Sequence, residues 1–304
     1  MSITAPGSMT GRIRRTEIPL RGPFDLSSIA QLSFGHRDER GFDGVLRLAF
    51  CVDGTYEDPV GVEVRQHDDV LRIVVHDSPG RSADLDVVSR QVARLLSADA
   101  DGADWQRVRD RDPVLRRLSA AAPGFRPALF YSPYEAAVWS VLSARRGRPQ
   151  GIALRSRLSA AHGASFDLAG TPTVCLPTPS ALLTLESFPR LPQDRIPRLN
   201  AIAEATLRGR LDPERLRAMS PEEAREDLQQ LPGIGPFYSS LIVVRALGLT
   251  DVLAPEEPRS RAAIAALYGL DHDPSAAELE QLAERWRPFR TWATVMIRAL
   301  GDLS

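Results

Sequence analysis

The sequence predicts a small α+β domain over residues 1–104, an antiparallel sheet with helices, followed by an all-α domain over residues 105–304. Three observations predict it. Apolar and polar residues alternate between Val45 and Asp77, the period of half-buried strands. After Asp104 that alternation gives way to helical spacing. A chain of 304 residues, 43% hydrophobic and 25% charged, is long enough for two cores, and its composition excludes disorder, collagen and coiled coil.

Taken in order, Phe24-Asp25-Leu26 opens a short helix. Residues 45–50, 60–64 and 70–75 are β-rich runs separated by the turn signals Asp53-Gly54 and His67-Asp68-Asp69, which makes an antiparallel meander. Leu85, Val88, Val92, Leu95 and Leu96 recur at helical spacing, so a helix over about 83–96 covers one sheet face. Beyond Asp104, helices are expected at 105–121, 133–145, 150–162, 179–186, 196–208, 221–230, 236–248, 258–268, 275–286 and 289–301. No period of 20–50 residues suggests a solenoid.

The net charge of -1 hides a split. Residues 1–104 carry a formal charge of -5, whereas residues 105–200 carry +8. All 38 basic residues are arginine, which excludes mechanisms that need a lysine amine: Schiff-base lyases, pyridoxal enzymes and P-loop nucleotide hydrolases. Cys51 and Cys175 are too few for a disulfide framework, an iron–sulfur cluster or a four-cysteine zinc site, and both are expected to be reduced and buried. His67, Asp68, Asp69, His76 and Asp77 share the sheet, but such residues gather in turns for conformational reasons, and no metal site is expected. With no secretory h-region and no run of 18 apolar residues, a soluble cytoplasmic chain with no membrane partner is expected.

The informative stretch is Leu231-Pro232-Gly233-Ile234-Gly235-Pro236, which joins two helical patterns across about 221–248. Glycine permits backbone angles that side chains forbid, and proline suits the first position of a helix. Bare amides at such a hairpin can bind a phosphate of nucleic acid. A short connection that needs glycine only for its turn would read the same way. Asp251-Val252-Leu253-Ala254-Pro255-Glu256-Glu257 follows, with Glu257 placed 24 positions after Gly233.

With this hairpin and this spaced acid, the chain resembles the helix-hairpin-helix DNA glycosylase superfamily, specifically the 3-methyladenine DNA glycosylase II family, which excises alkylated bases. Further segments are similar: Trp286-Arg287-Pro288-Phe289-Arg290-Thr291-Trp292-Ala293, Pro133-Tyr134-Glu135-Ala136, Pro177-Thr178-Pro179 and Gly22-Pro23-Phe24-Asp25. The resemblance implies an all-α helix-hairpin-helix glycosylase domain and a monomer acting on duplex DNA that carries a damaged base. Gly233, Ile234 and Gly235 would hold a phosphate, with a monovalent cation at the hairpin that no residue here demands and no other cofactor required.

Breaking an N-glycosidic bond develops positive charge on the sugar, and an ionised carboxylate beneath it stabilises that charge and orients water. The family's catalytic aspartate matches Glu257, with Glu256 the lesser candidate. Glutamate displaces the charge by about 1.5 Å, a shift that can cost about a hundredfold in rate. Either the pocket suits glutamate, or the chain binds lesions without cleaving them; two solvated acids in a first helical turn would look alike. The implied base pocket falls on Phe237, Leu241, Pro258 and Arg298, with Trp286, Trp292 or Tyr238 as other stacking surfaces. The family's leucine wedge matches Arg145, in a loop where Arg146 and Arg148 add positive charge for DNA. An arginine plane there fills the gap and pairs with phosphates or the orphaned base. With no lysine for strand cleavage, a monofunctional enzyme is expected; a helical module for RNA or another partner is a third reading.

Overall fold

A four-stranded antiparallel sheet forms the first layer of this computed structural model, which describes residues 11–32, 41–255 and 257–301. Its strands are β1 (Ile13–Pro19), β2 (Leu46–Cys51), β3 (Pro59–His67) and β4 (Val70–Asp77), in the order β1-β4-β3-β2. β2, β3 and β4 are the expected meander. β1 is a correction, since the sequence reading places no strand there. It pairs with the free edge of β4, Ile18 opposite Leu71, and of its side chains only Ile18 is buried. An edge strand with one buried side chain carries almost no apolar alternation to read.

Helix α1 (Leu26–Leu32) starts where the Asp25 carboxylate accepts from the amides of Ser27 and Ser28. Helix α2 (Leu85–Leu95) is capped by Asp84 and buries Val88, Val92 and Leu95 against Val62, Leu71 and Ile73 of the sheet. Ala128, Leu129 and Tyr131 complete the same core from beyond residue 104.

The helices that follow are α3 (Gly102–Arg111), α4 (Pro113–Ala121), α5 (Pro133–Ser143), α6 (Arg148–His162) and α7 (Pro179–Leu183). Next come α8 (Ile196–Leu207), α9 (Pro213–Arg217), α10 (Pro221–Gln229) and α11 (Pro236–Ala246). The chain closes with α12 (Pro258–Tyr268), α13 (Ala276–Ala283) and α14 (Arg290–Leu300). The single helix expected over 105–121 is two. Asp112 has extended backbone that ends α3, and its Oδ1 accepts from Val114 and Leu115 at 2.9 and 3.1 Å to begin α4, with Pro113 at the first position.

Two further elements escape the sequence reading. One is the hairpin of β5 (Ser165–Leu168) and β6 (Thr171–Val174); the other is the single-turn α9. Both are too short for a periodic pattern. The β5–β6 hairpin lies on the main sheet, where a β-carbon on Gly61 would come within 2.7 Å of Phe166 and 2.8 Å of Leu168.

One helical core gathers α5, α6, α8, α10 and α11. Another joins α3 and α4 to α12, α13 and α14 around Trp105, Trp286, Phe289 and Trp292. Buried Arg126 ties sheet and helices together. Its guanidinium donates to the carbonyls of Pro23, Ser97, Ala100, Arg21 and Gly22 and lies over the rings of Phe24 and Trp292. Burial lowers its pKa to about 10, so it remains a cation at neutral pH.

Candidate active site and nucleic-acid interface

Ser220 starts α10 with a capping box, accepting from the Glu223 amide while the Glu223 carboxylate accepts from the Ser220 amide at 2.8 Å. The helix stops at Gln230, and Ile234, only 3% exposed, plugs the hairpin into the core. With Ile234 turned inward, the flanking glycines face out. Gly233 has φ 93, which favours glycine. Gly235 begins α11 with no side-chain cap, and a β-carbon built on it meets nothing within 4 Å. The amides of Gly233, Gly235, Phe237 and Tyr238 donate to no acceptor among the described residues. These bare N–H groups lie at the positive end of a helix, the arrangement that receives a phosphate. The carbonyls of Gly233 and Ile234 likewise accept from no described donor, so the hairpin has spare neutral oxygens of the kind a monovalent cation takes.

The loop between α5 and α6 packs beside this hairpin. Ser143, at the end of α5, hydrogen-bonds the Tyr238 hydroxyl of α11 at 3.1 Å. A β-carbon on Gly233 would lie 3.2 Å from Cδ of Arg198, so the 190–198 segment adjoins the hairpin as well. Arg146 donates to the carbonyls of Leu142 and Arg190, Arg195 to that of Val141, and Arg198 to the Asp194 carboxylate. Burial lowers the Arg195 pKa, and Arg198, Arg146 and Arg145 depress it further against the opposing Asp194 carboxylate, so these four arginines stand close together with one acid among them. Arg195 and Arg198 were not singled out in the sequence, although both lie within the +8 stretch. Arg145 is exposed with φ 56, a left-handed backbone rare for arginine, and Arg148 opens α6 on the exposed side.

Glu257 is half-buried and caps α12. Its Oε1 accepts from the Arg259 amide at 3.3 Å and its Oε2 from the Ser260 amide at 2.5 Å. These are the two amides that an aspartate cap reaches. The longer side chain folds back onto its own helix, and the charge stays at the positive end. A carboxylate has about four lone-pair sites, so two amide bonds leave room to orient a water and face a cation. Glu256 lies outside the described residues.

The loop leading to Glu257 is latched on two sides. Asp251 accepts from Arg290 Nε at 2.7 Å and from Arg287 Nη1 at 2.8 Å. Thr291 Oγ1 accepts from the Val252 amide and donates to its carbonyl, while Arg225 of α10 donates to the Leu253 carbonyl. Asp251 and Arg290 stand inside motifs quoted from the sequence, but charge alone gave them no positioning role.

The residues expected to line a base pocket divide. Phe237 is 46% exposed at the start of α11, its ring edge-on to Tyr238. Leu241 is half-buried, Pro258 exposed, and Arg298 half-buried on α14. Trp286 is a correction: it is 0% exposed, and its Nε1 donates to Asp112 Oδ2 and to the Tyr268 hydroxyl. Trp292 is buried as well, so neither indole offers a face for stacking. Their wide spacing from the hairpin in sequence could not separate core from pocket. On the sheet, His76 bonds Glu63 and Asp77 bonds Arg14.

No family model matches the chain. It is 28% identical over 286 residues to "Probable bifunctional transcriptional activator/DNA repair enzyme AlkA" of Mycobacterium tuberculosis, covering 91% of this chain and 55% of that protein. To "DNA-3-methyladenine glycosylase 2" of Escherichia coli it is 27% identical over 189 residues, 60% of this chain and 63% of that one. The chain thus spans under two thirds of the length of both relatives. Among solved structures, the 3-methyladenine DNA-glycosylase from Archaeoglobus fulgidus superposes with a TM-score of 0.72 at 20% identity, covering 94% of this chain and 98% of that chain. The chain is thus similar in sequence to these two relatives along much of its length, and its fold is that of the Archaeoglobus fulgidus glycosylase.

Proposed function

We propose that the chain is a DNA N-glycosylase that excises damaged, alkylated bases from duplex DNA as a cytoplasmic monomer, by hydrolysis and without cutting the strand. The observation that carries this reading is Glu257, a half-buried carboxylate held by two amides at a helix start, following a hairpin with bare glycine amides. The hairpin would hold a phosphate of the damaged strand, and the arginine patch the flanking backbone. Glu257 would lie under the sugar as the bond to the base breaks, stabilise the growing positive charge and orient the attacking water. Phe237 would stack on the extruded base. The absence of lysine from the sequence supports a monofunctional reaction, because no ε-amine is present to form a Schiff base with the opened sugar.

The test is incubation with duplexes containing 3-methyladenine or 7-methylguanine, followed by alkali. Strand breaks that require alkali, and that vanish in Glu257→Gln with DNA affinity retained, are the expected result. Tight lesion binding with no base release would instead identify a binding protein on this scaffold.

A further inference from the structure

The loop between α5 and α6 holds an arginine with a strained backbone and no internal work. Arg145 is exposed at the tip between α5 and α6, with φ 56. Among the described residues it makes no hydrogen bond and no ion pair, whereas Arg146, Arg195 and Arg198 beside it are each engaged. Left-handed backbone at a non-glycine residue is kept where surrounding structure imposes it, and such positions gather at ligand contacts. Here the imposition is visible: Ser143 is tied to Tyr238, Arg146 is fixed to both Leu142 and Arg190, and the Arg146 amide donates to the Ser143 carbonyl at 3.0 Å, closing a tight turn with Ala144 and Arg145 at its two central positions.

Resting on the glycosylase reading, we infer that Arg145 reads the base left unpaired by extrusion and selects cytosine, so that the preferred substrates are damaged guanines. The argument is one of donors and acceptors. A guanidinium carries five N–H donors in a planar fork and no acceptor. A base that has lost its partner presents its pairing edge to whatever fills the gap. On that edge cytosine offers two adjacent acceptors, N3 and O2, which match the fork. Thymine places N3–H between its two carbonyls. Adenine sets the N6 amino group beside its one acceptor, and guanine sets N1–H and its amino group beside O6. These three edges each bring a donor against a donor. A fork on its matched edge discriminates by about tenfold to a hundredfold. Guanine is the natural partner of cytosine, so an orphaned cytosine marks a lesion derived from guanine.

The experiment uses the full chain and duplexes carrying a tetrahydrofuran abasic analogue opposite cytosine, thymine, adenine or guanine, so that binding is read without chemistry. The expected result is binding opposite cytosine at least about tenfold tighter than opposite adenine. In Arg145→Leu the four affinities should converge, and Arg145→Lys, with a charge but no fork, should not restore the preference. Leucine bears the same left-handed backbone at this exposed tip, so the fold is not at stake. Equal binding to all four duplexes by the unmodified chain would overturn the inference. So would a cytosine preference that survives Arg145→Leu, or a uniform loss that marks a phosphate contact only. Single-turnover release of 7-methylguanine opposite each base separates the two readings. No release with the cytosine preference intact sinks the glycosylase alone; release indifferent to the opposite base sinks the orphan-base reading alone.

Discussion

Arg126 and Arg145 show how one residue type, in a chain with no lysine, does opposite work in two regions. At the joint between sheet and helices, Arg126 is 0% exposed and gives its donors to five main-chain carbonyls. In the loop before α6, Arg145 finds no acceptor among the described residues and holds an unfavourable backbone. The first region spends charge on rigidity; the second keeps charge available on a rigid support. The lesson is that a guanidinium's role is set by which acceptors the fold supplies, not by local sequence. Both arginines stand in Arg-Pro or Arg-Arg contexts that look alike on the page.

The sharpest way to break the comparison is Arg126→Met. Leaving that set of buried carbonyls without a donor should cost about 3 kcal/mol or more, read as a large fall in denaturant midpoint. Stability within about 0.5 kcal/mol of the parent would show that the joint does not depend on it. In the working region, Glu257→Gln should lower single-turnover base release by about a hundredfold to a thousandfold while the thermal midpoint barely moves, because an amide oxygen can still cap α12. Gly235→Ala sharpens the contrast further. Its β-carbon enters open space in the free chain, so folding is unaffected, yet a docked phosphate would meet the methyl group. DNA affinity should fall about tenfold with an unchanged melting curve.

Arg145→Gly should act in the reverse sense to Arg126→Met. Relief of the left-handed backbone should stabilise the chain by about 1 kcal/mol in denaturant titrations while DNA binding weakens. Destabilisation by the glycine would mean that Arg145 has packing work after all. The smallest effect expected is at acid pH. The Ser275 amide, the Ser275 hydroxyl and His272 hold the Glu278 pKa at about 2. A lowered carboxylate contributes stability above its ordinary value of 4.5 and loses it as pH falls toward about 2. Melts of the parent and Glu278→Gln should therefore differ at pH 5 and converge below about pH 2.

Most helices and the meander were legible because their signals are periodic, as in Val88, Val92 and Leu95 of α2. The strand β1 was not, because five of the seven residues in Ile13–Pro19 are polar or proline and its partner is remote in sequence. The break at Asp112 was not either: one carboxylate serves the end of α3 and the start of α4, and helical spacing continues across it. Within the candidate site, the glycines and Glu257 stood out because the resemblance, with its 24-position spacing, pointed to them. The burial of Trp286 could not, because an indole is equally suited to a core and to a pocket, and only its bond to Asp112 decides between them. The latch between Asp251 and Arg290 was hidden for the same reason: its two halves lie on separate segments.

The way Glu257 folds onto α12 has a consequence for how this position can vary. With both carboxylate oxygens moored to peptide nitrogens of its own first turn, aspartate and glutamate differ here in tether length rather than anchorage. An inhibitor that draws the acid outward must strip those two nitrogens of their partner and loosen the very coil that aims it.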